Sequence, residues 1–204
     1  MIPAMAEAAI RLPKERRPRD ATRAASRVAI LDAARRVATR DGARDLSLRG
    51  VAAEAGFAPA ALYGYFRNKD ELLLALAADD LTSMARAMRD TPTGGGLAGA
   101  GAAALAVLSN AETMAAASAA LTGAPAGGKV NDAERLFNGR MIAVLKALSD
   151  ASGLPSSSRE NQSDVVLIAA ALTGLALLAR SGRLSALGFS PEEIMARLDT
   201  RFKV

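Results

Sequence analysis

The chain has 204 residues, 50% of them hydrophobic, with 26 Lys+Arg against 21 Asp+Glu and neither cysteine nor histidine. Without cysteine there is no disulfide or thiolate chemistry, and without histidine the commonest general base and transition-metal ligand are gone, so an enzyme would have to work with Asp, Glu, Lys, Tyr or Ser alone. Residues 1–70 carry 14 Lys+Arg and 8 Asp+Glu, whereas 71–204 carry 12 and 13, the footprint of a polyanion-binding module joined to a nearly neutral body.

Alanine and leucine dominate and β-branched runs are scarce, so an all-α protein is expected. Residues 1–22 hold three prolines and the cluster Arg11, Lys14, Arg16, Arg17 and Arg19 without periodicity, and read as a flexible basic arm. The first ten residues are apolar, but the basic run follows them instead of preceding them, so they do not read as a signal peptide and a cytoplasmic protein is expected. Over 23–41, Val28, Leu31, Ala34, Val37 and Ala38 recur at helical spacing, with Ser26 as the expected N-cap and Gly42 as the C-cap. Ser47 is placed to cap a second, short helix ended by Gly56.

Phe57-Ala58-Pro59 then makes a tight connection. Pro59 suits the first turn of a helix over 59–66 that puts Leu62 and Phe66 on one face. Arg67-Asn68 breaks that helix, and Lys69 opens a longer one reaching about Met88. The Gly-, Pro- and Thr-rich stretch 91–101 marks a loop. Helices are expected at 97–109, 111–122, 130–151, 162–182 and 190–202, with linkers at 123–129 and 152–158. The helix over 162–182 is apolar nearly all round, a pattern normally covered on every side. Its apolar run, 165–179, is 15 residues, short of the roughly 20 that cross a bilayer.

Two short helices joined by a glycine-containing turn, behind a longer amphipathic helix, are the plan of a helix-turn-helix. Helices of two turns are marginal alone. Leu48, Val51, Ala52, Ala55, Leu62 and Phe66 are expected to bury them against Ile30, Ala33, Ala34 and Val37, which leaves the opposite face free to meet a groove.

These residues resemble the tetracycline-repressor-like (TetR) transcriptional regulators over 26–73. The first helix reads Ser26-Arg27-x-x-Ile30-Leu31-Asp32-Ala33-Ala34. The helix-turn-helix reads Ser47-Leu48-Arg49-x-Val51-Ala52-x-x-Ala55-Gly56-Phe57, then Ala60-x-Leu62-Tyr63-x-Tyr65-Phe66-x-Asn68-Lys69-x-x-Leu72. The string from Leu62 to Lys69 is its most specific part.

The resemblance implies an N-terminal three-helix DNA-binding domain over 23–70 and a helical regulatory and dimerisation domain over 71–204. It implies phosphate contacts from Arg27, Ser47, Arg49 and Lys69 and backbone contacts from the hydroxyls of Tyr63 and Tyr65, in keeping with the affinity of helix N-termini and cations for phosphate. Pro59, Ala60 and Gly64 would face the groove. Here the chain departs from the family, which often has a hydroxyl or basic residue at positions 58 and 59. Small apolar residues make no bidentate hydrogen bonds to bases, so readout would lean on thymine methyls and DNA shape. The arm would add minor-groove contacts.

The resemblance also implies a small-molecule effector and dimerisation through the last long helices. An apolar effector is expected, with no metal or other cofactor; Met84, Met88, Met114 and Met141 are candidates for an adaptable lining or for core packing. Helices 130–151 and 162–182 are expected to form a four-helix interface between two copies, with Ala170, Ala171 and Gly174 allowing close approach.

Arg35, Arg36 and Arg40 read as a solvated face, as do Asp79-Asp80 and Glu192-Glu193. No nucleophile with a nearby base forms an identifiable motif, so an enzyme is not expected. The expected function is a non-enzymatic, dimeric repressor that binds a palindromic DNA operator and is released by its effector. The alternative is an adaptor that uses the basic arm on a membrane surface or a protein partner.

Overall fold

The computed structural model of the chain describes residues 18–92, 95–110 and 132–202. The regular elements among them are all helices: α1 (Pro18–Asp41), α2 (Leu48–Ala55), α3 (Pro59–Leu62), α4 (Lys69–Arg89), α5 (Gly96–Asn110), α6 (Asp132–Ser152), α7 (Arg159–Arg180), α8 (Arg183–Ala186) and α9 (Pro191–Phe202). The expected helix 111–122, the linker 123–129, Met114 and residues 1–17 of the arm lie outside the described residues.

Boundaries set by capping chemistry fall where expected. Gly42, at φ 86°, closes α1 with its N–H on the Ala38 carbonyl at 2.9 Å. The Ser47 hydroxyl accepts from the Gly50 N–H at 3.1 Å, and Gly56 ends α2 at φ 72°.

Other boundaries move. Helix α1 starts at Pro18, where the missing N–H costs nothing, so Ser26 lies inside the helix and is not its cap. Helix α3 stops at Leu62 instead of 66. Beyond it the Gly64 and Tyr65 N–H groups donate three residues back, to Ala61 and Leu62, a tightening that glycine's poor helix propensity favours. The loop after α4 is shorter than expected, because α5 begins at Gly96. Helix α7 begins at Arg159 behind a Ser158 cap. The single turn α8, entered from Gly182 at φ 68°, had no periodic signal in so short a segment.

Two cores form. The head core holds Ile30, Ala33, Ala34, Val37, Leu46, Leu48, Val51, Ala52, Leu62 and Phe66. Ala55, expected to be buried, is only partly so. The body core unites Leu97, Leu105, Phe137, Val144, Leu148, Ile168 and Leu172. Burying each large side chain contributes about 1.5–3 kcal/mol.

Helix α4 belongs to both cores: Leu72, Leu73, Ala75 and Leu76 enter the head, whereas Leu74, Ala77, Leu81, Met84 and Met88 enter the body. Met84 and Met88 are thus core residues. Arg35 sits on α1 at this junction. Its guanidinium donates to Asp79 at 2.6 Å and Asp80 at 3.2 Å. Burial pulls the Arg35 pKa down, but the hydrogen bond to Asp79 and the charges of both carboxylates outweigh it and leave it raised. Asp79-Asp80 is therefore not a solvated face: Asp80 is only 8% exposed. Arg36 and Arg40 are exposed but both pair with Glu54 of α2, at 2.8 and 3.1 Å.

Glu192 and Glu193 are both exposed, as expected of a solvated face, and Glu193 has a structural duty besides. The Glu193 carboxylate accepts from the Ser190 N–H at 2.8 Å while the Ser190 hydroxyl accepts from the Glu193 N–H at 3.2 Å, a capping box that starts α9. From α9, the Asp199 carboxylate accepts the Ala98 N–H at 3.1 Å and so caps α5. The two helices approach so closely that a Cβ on Gly101 would lie 2.1 Å from the Met195 methyl.

Helix α7 is covered on one side within the single chain. It buries Val165, Ile168, Leu172, Leu175 and Ala176, but leaves Val166, Leu167, Leu177 and Leu178 exposed. At 22 residues it is also long and apolar enough, by length and composition, to cross a membrane. A groove of about 690 Å³ runs between α6 and α7, with Ile142, Leu145, Val166 and Leu167 on its walls and Lys146 and Arg159 among its polar lining.

Candidate nucleic-acid interface

The candidate ridge is built from the outer face of α2, α3 and the turn that follows. Leu62 and Phe66 are fully buried and hold this segment to the head core. Between and before them Pro59, Ala60, Tyr63 and Gly64 are exposed, Tyr63 by 54%. Ser47 and Arg49 are exposed at the start of α2. Ser47 has one structural duty already, the cap on Gly50. A Cβ on Gly64 would meet the Ala61 carbonyl at 3.2 Å, so even alanine would be tight there.

Lys69 opens α4 and is half-buried; its ammonium donates to the carbonyl of Arg44. This contact ties the start of α4 to the loop that leads into Ser47. The end itself is fixed by Asn68, whose side chain accepts from the Glu71 N–H at 2.8 Å, and by Glu71, which accepts from the Arg67 N–H at 2.7 Å. The Asn68-x-x-Glu71 spacing is a capping signature readable in the sequence, and it explains the break at 67–68.

Arg27 and Tyr65 are half-buried, as Lys69 is. The Arg27 guanidinium stacks 4.6 Å over the Phe66 ring. Burial lowers its pKa, opposed by Glu71 and reinforced by Arg23, and it remains a cation. Tyr65 is half-buried, packed edge-on against Phe57 with ring centroids 6.4 Å apart. Sequence reasoning missed Arg23, which donates to the Gly64 carbonyl at 2.9 Å and lies 5.1 Å over the Tyr65 ring. A contact across 41 positions leaves no local signal.

This face offers exposed cations, hydroxyls and a phenol beside small apolar residues, a set suited to a phosphate backbone and a groove floor. Among the described residues there is no group of three or more Asp or Glu able to hold a metal ion.

Residues 30–76 match the family model of bacterial regulatory proteins, tetR family. The head is thus similar to the tetR family of bacterial regulatory proteins. Likeness of fold to solved structures reaches beyond the head. A TetR transcriptional regulator from Rhodococcus sp. RHA1 superposes with a TM-score of 0.69 at 20% identity, covering 90% of this chain and 98% of that one. BioQ, solved with its double-stranded DNA operator, gives 0.57 at 20% identity over 85% and 98% of the two chains. The fatty acid degradation regulator FadR from Bacillus halodurans gives 0.53 at 14% identity over 93% and 96%. No curated protein matches the chain.

Proposed function

We propose that the protein is a cytoplasmic, dimeric transcriptional repressor that binds a palindromic operator through its tetR-family head. The observation that carries this reading is the exposed row Ser47, Arg49, Pro59, Ala60, Tyr63 and Gly64, set on a head core that closes behind it. Ser47, Arg49 and Lys69 contact phosphate, Tyr63 reaches the backbone, and Pro59, Ala60 and Gly64 approach the bases. Arg27 and Tyr65 support the segment from behind. That BioQ was solved with a double-stranded operator favours the same partner for this fold.

Dimerisation uses α6 and α7. Ile142, Val166, Leu167 and Leu177 are exposed, and a Cβ on Gly174 would meet nothing within 4 Å, which leaves room for a partner helix. The groove between these helices is part of that seam. An apolar effector releases the DNA by tilting α4, because α4 packs in both cores and cannot shift in the body without moving the head. Half-sites recur about every 34 Å, so a small change in head separation prevents both from docking.

Selection of duplexes from a random DNA pool tests the reading. A palindromic winner is expected. Lys69→Ala should weaken binding to every sequence and reduce the slope of log K against log salt by about 0.9, the value for one phosphate contact. Unchanged affinity would remove Lys69 from the interface, and no selected duplex would remove the reading. The exposed apolar face of α7 also fits a membrane; liposome flotation without DNA selection would favour that alternative.

A further inference from the structure

We infer that Arg23 is a positioning residue for DNA recognition: it locks the turn after α3 onto α1 without contacting phosphate. The inference rests on the DNA-binding reading and assigns a role to a residue outside the ridge.

The turn needs such a lock. Helix α3 has four residues, a single turn, and short helices are held by their surroundings rather than by their own bonds. Inside the segment, the N–H groups of Gly64, Tyr65 and Phe66 are satisfied by the carbonyls of Ala61 and Leu62. The Gly64 carbonyl accepts from the Arg23 guanidinium at 2.9 Å. The same guanidinium covers Tyr65 at 5.1 Å, and Tyr65 in turn meets Phe57 edge-on. Phe57 precedes α3 and Tyr65 follows it, so Arg23 ties α1 to the far end of the recognition segment directly and to its start through the Tyr65 ring.

One helical turn further along α1, Arg27 stacks on Phe66. Two guanidinium planes at i and i+4 thus hold two consecutive rings. A planar guanidinium can stack with its face while donating from its edge; a lysine ammonium can donate but has no plane to stack. What this fixes is the direction of Tyr63 and Gly64, which adjoin the locked atoms and face outward.

The test uses the full-length protein with Arg23→Ala, Arg23→Gln and Arg23→Lys, and the duplex selected by the unaltered chain. Arg23 is exposed, so all three variants should fold, as circular dichroism will show. Loss of the hydrogen bond and the stack should weaken operator binding by about tenfold in Arg23→Ala. The salt slope should stay unchanged, and Arg23→Lys should recover only part of the affinity. Without DNA, amides over 60–67 should exchange faster in Arg23→Ala.

A phosphate contact behaves differently: the slope would fall by about 0.9 in the alanine and glutamine variants, lysine would restore it, and exchange would not change. That pattern, or wild-type affinity in Arg23→Ala, overturns the assignment. If the unaltered chain selects no duplex, the DNA reading fails first; faster exchange would then record a structural brace and nothing more.

Discussion

The head and the body solve burial in opposite ways. In the head, α1, α2, α3 and the start of α4 enclose Ile30, Val51, Leu62 and Phe66 completely, and ion pairs cross between helices: Arg36 and Arg40 reach Glu54, and Arg35 reaches Asp79 and Asp80. In the body, α7 turns only one side inward and shows Val166, Leu167 and Leu177 to the outside, while the pairs Arg135–Asp132 and Lys146–Asp150 stay within α6. A closed core can be specified by a short run of sequence. A half-covered helix is specified jointly with whatever covers it. The first should respond to mutation as a self-contained unit, and the second should respond to protein concentration.

The largest effect belongs to the closed core. Phe66→Ala removes a fully buried ring and should cost about 3–5 kcal/mol in chemical denaturation followed by circular dichroism. Arg27 loses its stacking surface in the same variant, so DNA binding should vanish as well. A variant with unaltered stability would mean the head core is not closed. Next comes the open face. Leu167→Glu with Leu177→Glu adds two charges to exposed apolar positions and removes nothing from the core. It should leave a 21.0 kDa monomer in sedimentation and make the melting temperature independent of concentration, whereas the unaltered chain melts higher as it is concentrated. A double-glutamate protein that still sediments as a dimer would move the seam elsewhere.

The same contrast decides what could be read in advance. The head's helices were legible because their limits are chemical: Ser47, Gly56, Pro59 and Gly42 each do one local job. The start of α1 was misplaced because Pro18 and Ser26 both suit a first turn, and only packing chooses between them. Tertiary bonds were not legible. Arg23 to Gly64 and Asp199 to Ala98 span 41 and 101 positions, and Asp79-Asp80 looks like any solvated acidic pair until α1 brings Arg35 beside it. In the body, composition showed that 162–182 was too apolar to stand alone, but periodicity cannot separate a side facing the core from a side facing a partner.

Arg35 tests the joint between the two regions. Arg35→Ala removes the guanidinium that bonds both Asp79 and Asp80. Losing hydrogen bonds between charged groups costs about 1–3 kcal/mol, and the partial exposure of the Arg35 side chain places the expected loss near the lower figure. Arg35→Ala combined with Asp80→Ala should lose less than the sum of the two single losses, since the two side chains share one bond. Simple additivity of the two losses would show that the residues are not coupled. If the junction transmits effector binding, Arg35→Ala should also blunt the release of DNA while leaving affinity in the absence of effector nearly unchanged.

The smallest effect is at the surface of the head, where it separates charge from packing. Hydrogen bonds from Arg36 and Arg40 hold the Glu54 pKa below its ordinary value, and Arg40 does the same for Asp41. A folded-state value below the unfolded one means these pairs stabilise the protein above the unfolded carboxylate range, near pH 4, and lose that contribution as pH falls through the folded values. Glu54→Gln should therefore melt slightly lower than the unaltered chain at pH 7. The gap should narrow in high salt and close under acid, once both proteins carry a neutral side chain at that position. A gap that persisted in acid would assign Glu54 to packing between α1 and α2, and the head would then be held by shape alone, as the buried half of α7 is.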